Sequence, residues 1–141
     1  MHRPLVPIDG SASALRALAH ALELLRVRAG AELHLLNVQS PQVHALPSKL
    51  VPPDLIDQEL RRDGKALLVP AVAAAQAAGV ACVQHVRIGH AAEEITACVA
   101  AQGCDAVVMG TRGMGAVAGL LLGSVATKVV HAVPVPVTLV K

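Results

Sequence analysis

The sequence predicts an α/β fold: one domain spanning residues 1–141, built on an open parallel five-stranded sheet with helices on both faces. Three observations predict it. Short Val- and Leu-rich runs alternate with longer helical patterns in the order β-α-β-α-β-α-β-α-β, and parallel strands need such crossover helices, which bury the sheet on both sides. The 141 residues suit a single domain able to bury its own core. Hydrophobic residues make up 54% of the chain and charged residues 16%, a balance that excludes disorder.

The elements follow in order. Leu5-Val6-Pro7-Ile8 is an apolar run that ends at Asp9-Gly10, so it reads as the first strand. Ser11-Ala12-Ser13 offers helix N-caps. Leu15, Leu18, Ala19, Leu22 and Leu25 then recur at helical spacing, with Gly30 as the expected stop. Glu32 to Val38 is the second strand. Prolines 41, 47, 52 and 53 make residues 40–53 a loop. A helix runs from Asp54 towards Gly79, with Gly64 and Pro70 as weak points and Pro70 the place where it could kink or split. Val80 to Ile88 is the third strand and Gly89 the turn after it. Ala91 to Ala101 is a helix with Ile95 and Val99 on its buried face, ended by Gln102-Gly103. Asp105 to Met109 is the fourth strand, Val125 to Ala132 the last helix, and Val135 to Val140 the terminal strand. Pro134 and Pro136 place that strand at a sheet edge.

Composition removes several function classes. Net charge is +2 and the twelve Lys and Arg are scattered, so no basic stripe points to nucleic acid. The chain has no Phe, Tyr or Trp, which deprives it of a base-stacking platform. No stretch reaches eighteen uninterrupted apolar residues, and Met1-His2-Arg3-Pro4 leads directly into a strand. Neither a membrane helix nor a signal peptide is expected, and the expected compartment is the cytoplasm. Cys82, Cys98 and Cys104 form no metal or redox motif and read as small buried hydrophobes. The seven histidines form no i,i+4 pair and no cluster, and read as surface or boundary residues. His90, after Gly89, is the one candidate to approach a crevice. Lys128 reads as surface, and Gly115 and Gly119 as loop residues.

The chemistry concentrates after the fourth strand, in Gly110-Thr111-Arg112-Gly113, nine residues, then Gly123-Ser124. Glycines let main chain approach a phosphate, and a helix start supplies unpaired N–H groups and the positive end of a dipole. Asp9, Val38 and Gly110 end strands one, two and four, and share one crevice if strand one lies between the other two. Asp9 is a candidate for base or sugar contact, with a turn aspartate as the plain alternative, and Ser11 divides between an N-cap and a ligand neighbour. Arg112 could pair with phosphate oxygens, with a solvated loop arginine as the plain alternative. The loop lacks the lysine of a Walker A motif. Three or four charge-assisted hydrogen bonds at about 1.5–3 kcal/mol each give roughly 5–10 kcal/mol, against an association cost of ~4–15 kcal/mol. An adenine must therefore be buried as well, and affinity should reach micromolar at best.

Together these residues resemble the universal stress protein family over essentially the whole chain. Val6-Pro7-Ile8-Asp9-Gly10-Ser11 is similar to that family's start. Residues Asp105 to Gly113 with Leu121-Leu122-Gly123-Ser124-Val125 are similar to its G-x2-G-x9-G-[S/T] nucleotide motif, and Val133-Pro134-Val135-Pro136-Val137 to its terminal strand. The resemblance implies a Rossmann-like fold of the adenine nucleotide alpha hydrolase type and membership of the branch that binds ATP, with Mg²⁺. It implies that Pro7, Asp9 and Val38 hold adenine and ribose, that Met109 and Gly110 lie beside the ribose, and that Arg112, Gly113, Gly123, Ser124 and Val125 surround the phosphates. It also implies a homodimer paired through Val133, Pro134, Val135, Pro136 and Val137. Ala91 departs from the proline found there in many members. No general base stands out near the phosphates, so the expected role is a nucleotide-dependent stress-response switch or sensor with at most slow ATP hydrolysis. The rivals are a nucleotide-free dimeric adaptor, a genuine ATPase and, more weakly, a flavin protein; a cyclic nucleotide is an open choice of ligand.

Overall fold

A computed structural model describes residues 1–41, 51–114, 118–119 and 121–141. The elements run β1 (Pro4–Pro7), α1 (Ala12–Leu25), β2 (Glu32–Gln39), α2 (Pro53–Ala77), β3 (Ala81–Ile88), α3 (Ala91–Gln102), β4 (Ala106–Gly110), α4 (Ser124–Ala132) and β5 (Val137–Val140). The five strands form one parallel sheet in the order β3-β2-β1-β4-β5. β1 is therefore central, with β2 and β4 on either side of it, as a crevice shared by Asp9, Val38 and Gly110 requires. The strand order reverses between β1 and β4, the position at which open parallel sheets hold ligands.

Period-2 alternation sends successive side chains to opposite faces. Val6, Ile8, Leu33, Leu35 and Val108 pack with Leu18, Leu22 and Leu25 of α1 and Leu68, Ala71 and Ala75 of α2. Leu5, Leu36, Val107 and Met109 pack on the other side with Ile95, Cys98 and Val99 of α3 and Ala126 and Val129 of α4. The apolar side chains of both cores are aliphatic, methionine or cysteine, with none aromatic. Burial pushes the thiols of Cys82, Cys98 and Cys104 above their ordinary value, Cys104 to about 11.

Several boundaries differ from the sequence reading, each for a local reason. Ser11 caps α1 by accepting from the Ala14 N–H at 3.1 Å, while Ser13 lies buried inside the helix. α1 ends at Leu25; Gly30 (φ +73°) turns the chain into β2 instead of capping the helix. Pro70 does not split α2, which runs unbroken from Pro53 to Ala77 with Pro70 inside it. Gly64 is not a weak point either: a Cβ there would stand 2.5 Å from Val86 Cγ1, so its missing side chain is what lets α2 sit against β3. Gly103 (φ +61°) caps α3 as expected. β5 begins only at Val137, because Pro136 has no N–H for the ladder; its carbonyl still accepts from Val107 N–H at 2.9 Å. Among the described residues β5 is an edge strand, paired with β4 alone. The loop expected over 40–53 falls largely outside the described residues, as does Gly115; Gly119 (φ +88°) is described. Among the described residues no helix is long and apolar enough to cross a membrane.

The reading of the histidines as an unclustered surface set is overturned for two of them. His34 is 1% exposed, and its Nδ1 lies 2.9 Å from Nε2 of His85. The two are 51 residues apart in sequence, so no short-range spacing announces them; the β2–β3 register, His34 opposite Val83 and Leu36 opposite His85, brings them together on one face.

Candidate functional site

At the carboxyl ends of β1, β2 and β4 lies a cavity of about 340 Å³, within the range of small-molecule sites. All ten residues singled out in the sequence line it: Pro7, Asp9, Val38, Met109, Gly110, Arg112, Gly113, Gly123, Ser124 and Val125. Three strand ends deliver the first five, the turn after β4 the next two, and the start of α4 the last three. Ile8, Leu36, Ala91 and Ile95 add aliphatic wall that motif spacing did not mark. Leu36 was nonetheless legible by alternation, two positions before Val38 on the same strand. Ser11 also lines the cavity, but its hydroxyl is used on the Ala14 amide. His90 stands exposed at the N-cap of α3 and is not among the lining residues.

The glycines act mainly through what they lack. A Cβ on Gly110 would collide with Oγ and Cβ of Ser13 under the cavity floor. A Cβ on Gly113 would lie 2.6 Å from Oδ2 of Asp9, and one on Gly123 would lie 3.3 Å from the Thr111 carbonyl. Gly123 N–H is already used: it donates to that carbonyl at 2.6 Å. Thr111 N–H in turn donates to Val140 carbonyl at 3.0 Å, so the ends of β4 and β5 and the start of α4 are tied at one residue.

The polar inventory is short. Asp9 is the one carboxylate among the described lining residues and Arg112 the one cation, and Arg112 is exposed. Asp9 Oδ1 accepts from Ser11 N–H at 2.9 Å and Oδ2 from Met114 N–H at 3.1 Å, so this side chain clasps the end of β1 to the turn after β4. α4 has no side-chain cap. The N–H groups of Ser124, Val125 and Ala126 precede the first bonded amide, Thr127, which donates to Gly123 carbonyl at 3.0 Å. These three amides have no acceptor among the described residues and belong to cavity-lining residues. A helix start of this kind suits an anion, and the aliphatic wall between β1, β2 and α3 suits a flat apolar group. Among the described residues no group of three or more His, Cys, Asp or Glu is arranged to hold a metal ion.

The profile of the Universal stress protein family matches residues 1–141. The Bacillus subtilis universal stress protein YxiE is 31% identical over 147 aligned positions covering 99% of each chain. Among solved structures, protein MJ0577 superposes with a TM-score of 0.87 at 25% identity, over 99% of this chain and 94% of that one. A universal stress protein in complex with cAMP superposes at 0.72 with 24% identity, over 99% and 95%. An Arabidopsis thaliana family protein with AMP bound superposes at 0.71 with 23% identity, over all of this chain and 92% of that one.

Proposed function

Because the chain belongs to the universal stress protein family, we propose that it binds an adenine nucleotide, ATP with Mg²⁺, at the carboxyl ends of β1, β2 and β4, and that it serves as a cytoplasmic stress-response switch or sensor. The observation that carries this reading is the convergence of the glycine motif, the unbonded first-turn amides of α4 and an aliphatic slot in one cavity. The relatives solved with cAMP and AMP support an adenine nucleotide as the class of ligand. In this reading Pro7, Asp9 and Val38 hold adenine and ribose, Met109 and Gly110 flank the ribose, and Arg112, Gly113, Gly123, Ser124 and Val125 face the phosphates. Mg²⁺ commonly keeps several waters and is held through substrate phosphates, and in this reading the phosphates carry it, since both Asp9 oxygens already accept main-chain N–H groups. Hydrolysis is slow, since Asp9 is already held by two main-chain amides and no other described lining residue can act as a general base. β5 pairs with its symmetry mate together with the segment that leads into it, Val133, Pro134, Val135, Pro136 and Val137, which covers an otherwise open edge.

The test is isothermal calorimetry with ATP–Mg²⁺ on the wild type and on Gly113→Asp. Micromolar binding by the wild type, lost by at least tenfold in the variant, is expected, since the new carboxylate stands against Asp9 and repels phosphate. Equal affinity in the two proteins would overturn this placement. The same titration with AMP and cAMP tests a second reading, favoured by the ligands of the two relatives, in which a monophosphate nucleotide is preferred. Mass spectrometry of whatever the purified protein releases on denaturation identifies the ligand directly. No released nucleotide and no thermal shift with any of the three would support an empty adaptor, and ATP turnover above about 1 s⁻¹ a genuine ATPase.

A further inference from the structure

The strongest unexplained chemistry lies away from the nucleotide cavity, near the amino ends of the central strands. Arg3 pairs with Glu32 at 3.3 Å, Glu32 Oε1 lies 3.1 Å from Nε2 of His34, and Nδ1 of His34 lies 2.9 Å from Nε2 of His85. The His34 and His85 rings are within 2° of parallel with centroids 5.2 Å apart, but their nitrogens approach more closely than two stacked faces can. A hydrogen bond therefore joins them, and its direction follows from its neighbours. A carboxylate only accepts, so Nε2 of His34 carries the proton towards Glu32. Nδ1 of neutral His34 is then an acceptor, and Nε2–H of His85 is the donor. His34 is buried, whereas His85 is partly exposed on the edge strand, and its Nδ1 has no partner among the described residues.

We infer that His34 and His85 form a proton relay that admits one proton and is broken by a second. A proton arriving at Nδ1 of His85 lets its Nε2 proton pass along the hydrogen bond to Nδ1 of His34. His34 becomes an imidazolium between the Glu32 carboxylate and the now accepting Nε2 of His85, with every hydrogen bond kept and one positive charge added. A second proton, on Nε2 of His85, sets two N–H groups and two like charges face to face, and the pair opens along the β2–β3 seam. The charged and titratable groups around the pair are Arg3 ahead of β1, Glu32 on β2 and Arg87 on β3, with Cys98 and Glu94 of α3 set around Arg87 and Cys104 and Asp105 near Arg3. Burial lowers both histidines below their ordinary value; Glu32 opposes this at each, while Arg3 lowers His34 further and His34 and Arg87 lower His85. A lowered folded value means that the unfolded chain binds protons first. The stability the pair contributes is therefore complete above about pH 6.5 and lost as pH falls below it through the folded values.

Nitrogen NMR of histidine-labelled full-length protein, titrated from neutral to acid pH, tests this without any variant. Scalar coupling across the His34–His85 hydrogen bond and two linked titration steps below the range of the exposed histidines are expected. Absent coupling with two independent single-step curves would overturn the relay. Acid unfolding followed by circular dichroism is the second measurement. In His85→Gln an amide that donates to His34 without titrating replaces the second imidazole, so the acid midpoint should move to lower pH, while the surface control His20→Gln leaves it in place. An unchanged midpoint in His85→Gln would also overturn the inference.

Discussion

Ser13 shows how closely the main chain is packed beneath the candidate site. Its hydroxyl is buried with no hydrogen-bond partner among the described residues, and it lies where a side chain on Gly110 would have to go. An unmade buried hydrogen bond costs about 1–3 kcal/mol. Ser13→Ala is therefore expected to raise the unfolding free energy by about 1 kcal/mol, measured by urea titration, with nucleotide affinity unchanged. At this scale much was legible. Gly110, Gly113, Gly123 and Ser124 announce themselves by spacing, but the neighbours that exclude a Cβ, Ser13 at Gly110 and Asp9 at Gly113, come from distant parts of the chain and do not. Asp9 was only half legible. Its place at the end of β1 could be read from sequence, but its bond to Met114, 105 residues on, could not. His34 was misread for the same reason, since its partner is brought in by strand register alone.

Among the elements, α2 departs furthest from local rules. Pro70 sits inside a 25-residue helix, exposed, where it removes one amide donor. The helix persists because Leu60, Gly64, Leu68, Ala71 and Ala75 lie buried along it, holding both sides of the proline to the sheet. Pro70→Ala should stabilise the protein by about 1–3 kcal/mol in chemical denaturation, with helix content by circular dichroism essentially unchanged. Sequence reasoning placed every helix and strand within a few residues because apolar periodicity follows burial. It misplaced the end of α1 and the start of β5, where competing turn and ladder geometry decides. Gly30 is needed to enter β2, and Pro136 delays a strand whose apolar pattern begins earlier.

For the whole molecule, alternating strands and helices were enough to give a parallel sheet, whereas the position of β1 between β2 and β4 was only a condition for one crevice in the sequence and is met in the fold. What covers the two edges did not follow. The proposed pairing of β5 predicts a dimer by analytical ultracentrifugation at micromolar concentration. Leu139→Lys, at a partly exposed position on that strand, should yield a folded monomer, and a dimer unaffected by this charge would place the interface elsewhere. The absence of any Phe, Tyr or Trp from both cores and from the cavity wall has an optical consequence. The polypeptide is nearly transparent in the near ultraviolet, so a purine carried through purification would dominate the absorption spectrum. Its occupancy could then be read from the spectrum of the native protein, with no label, displacement or denaturation.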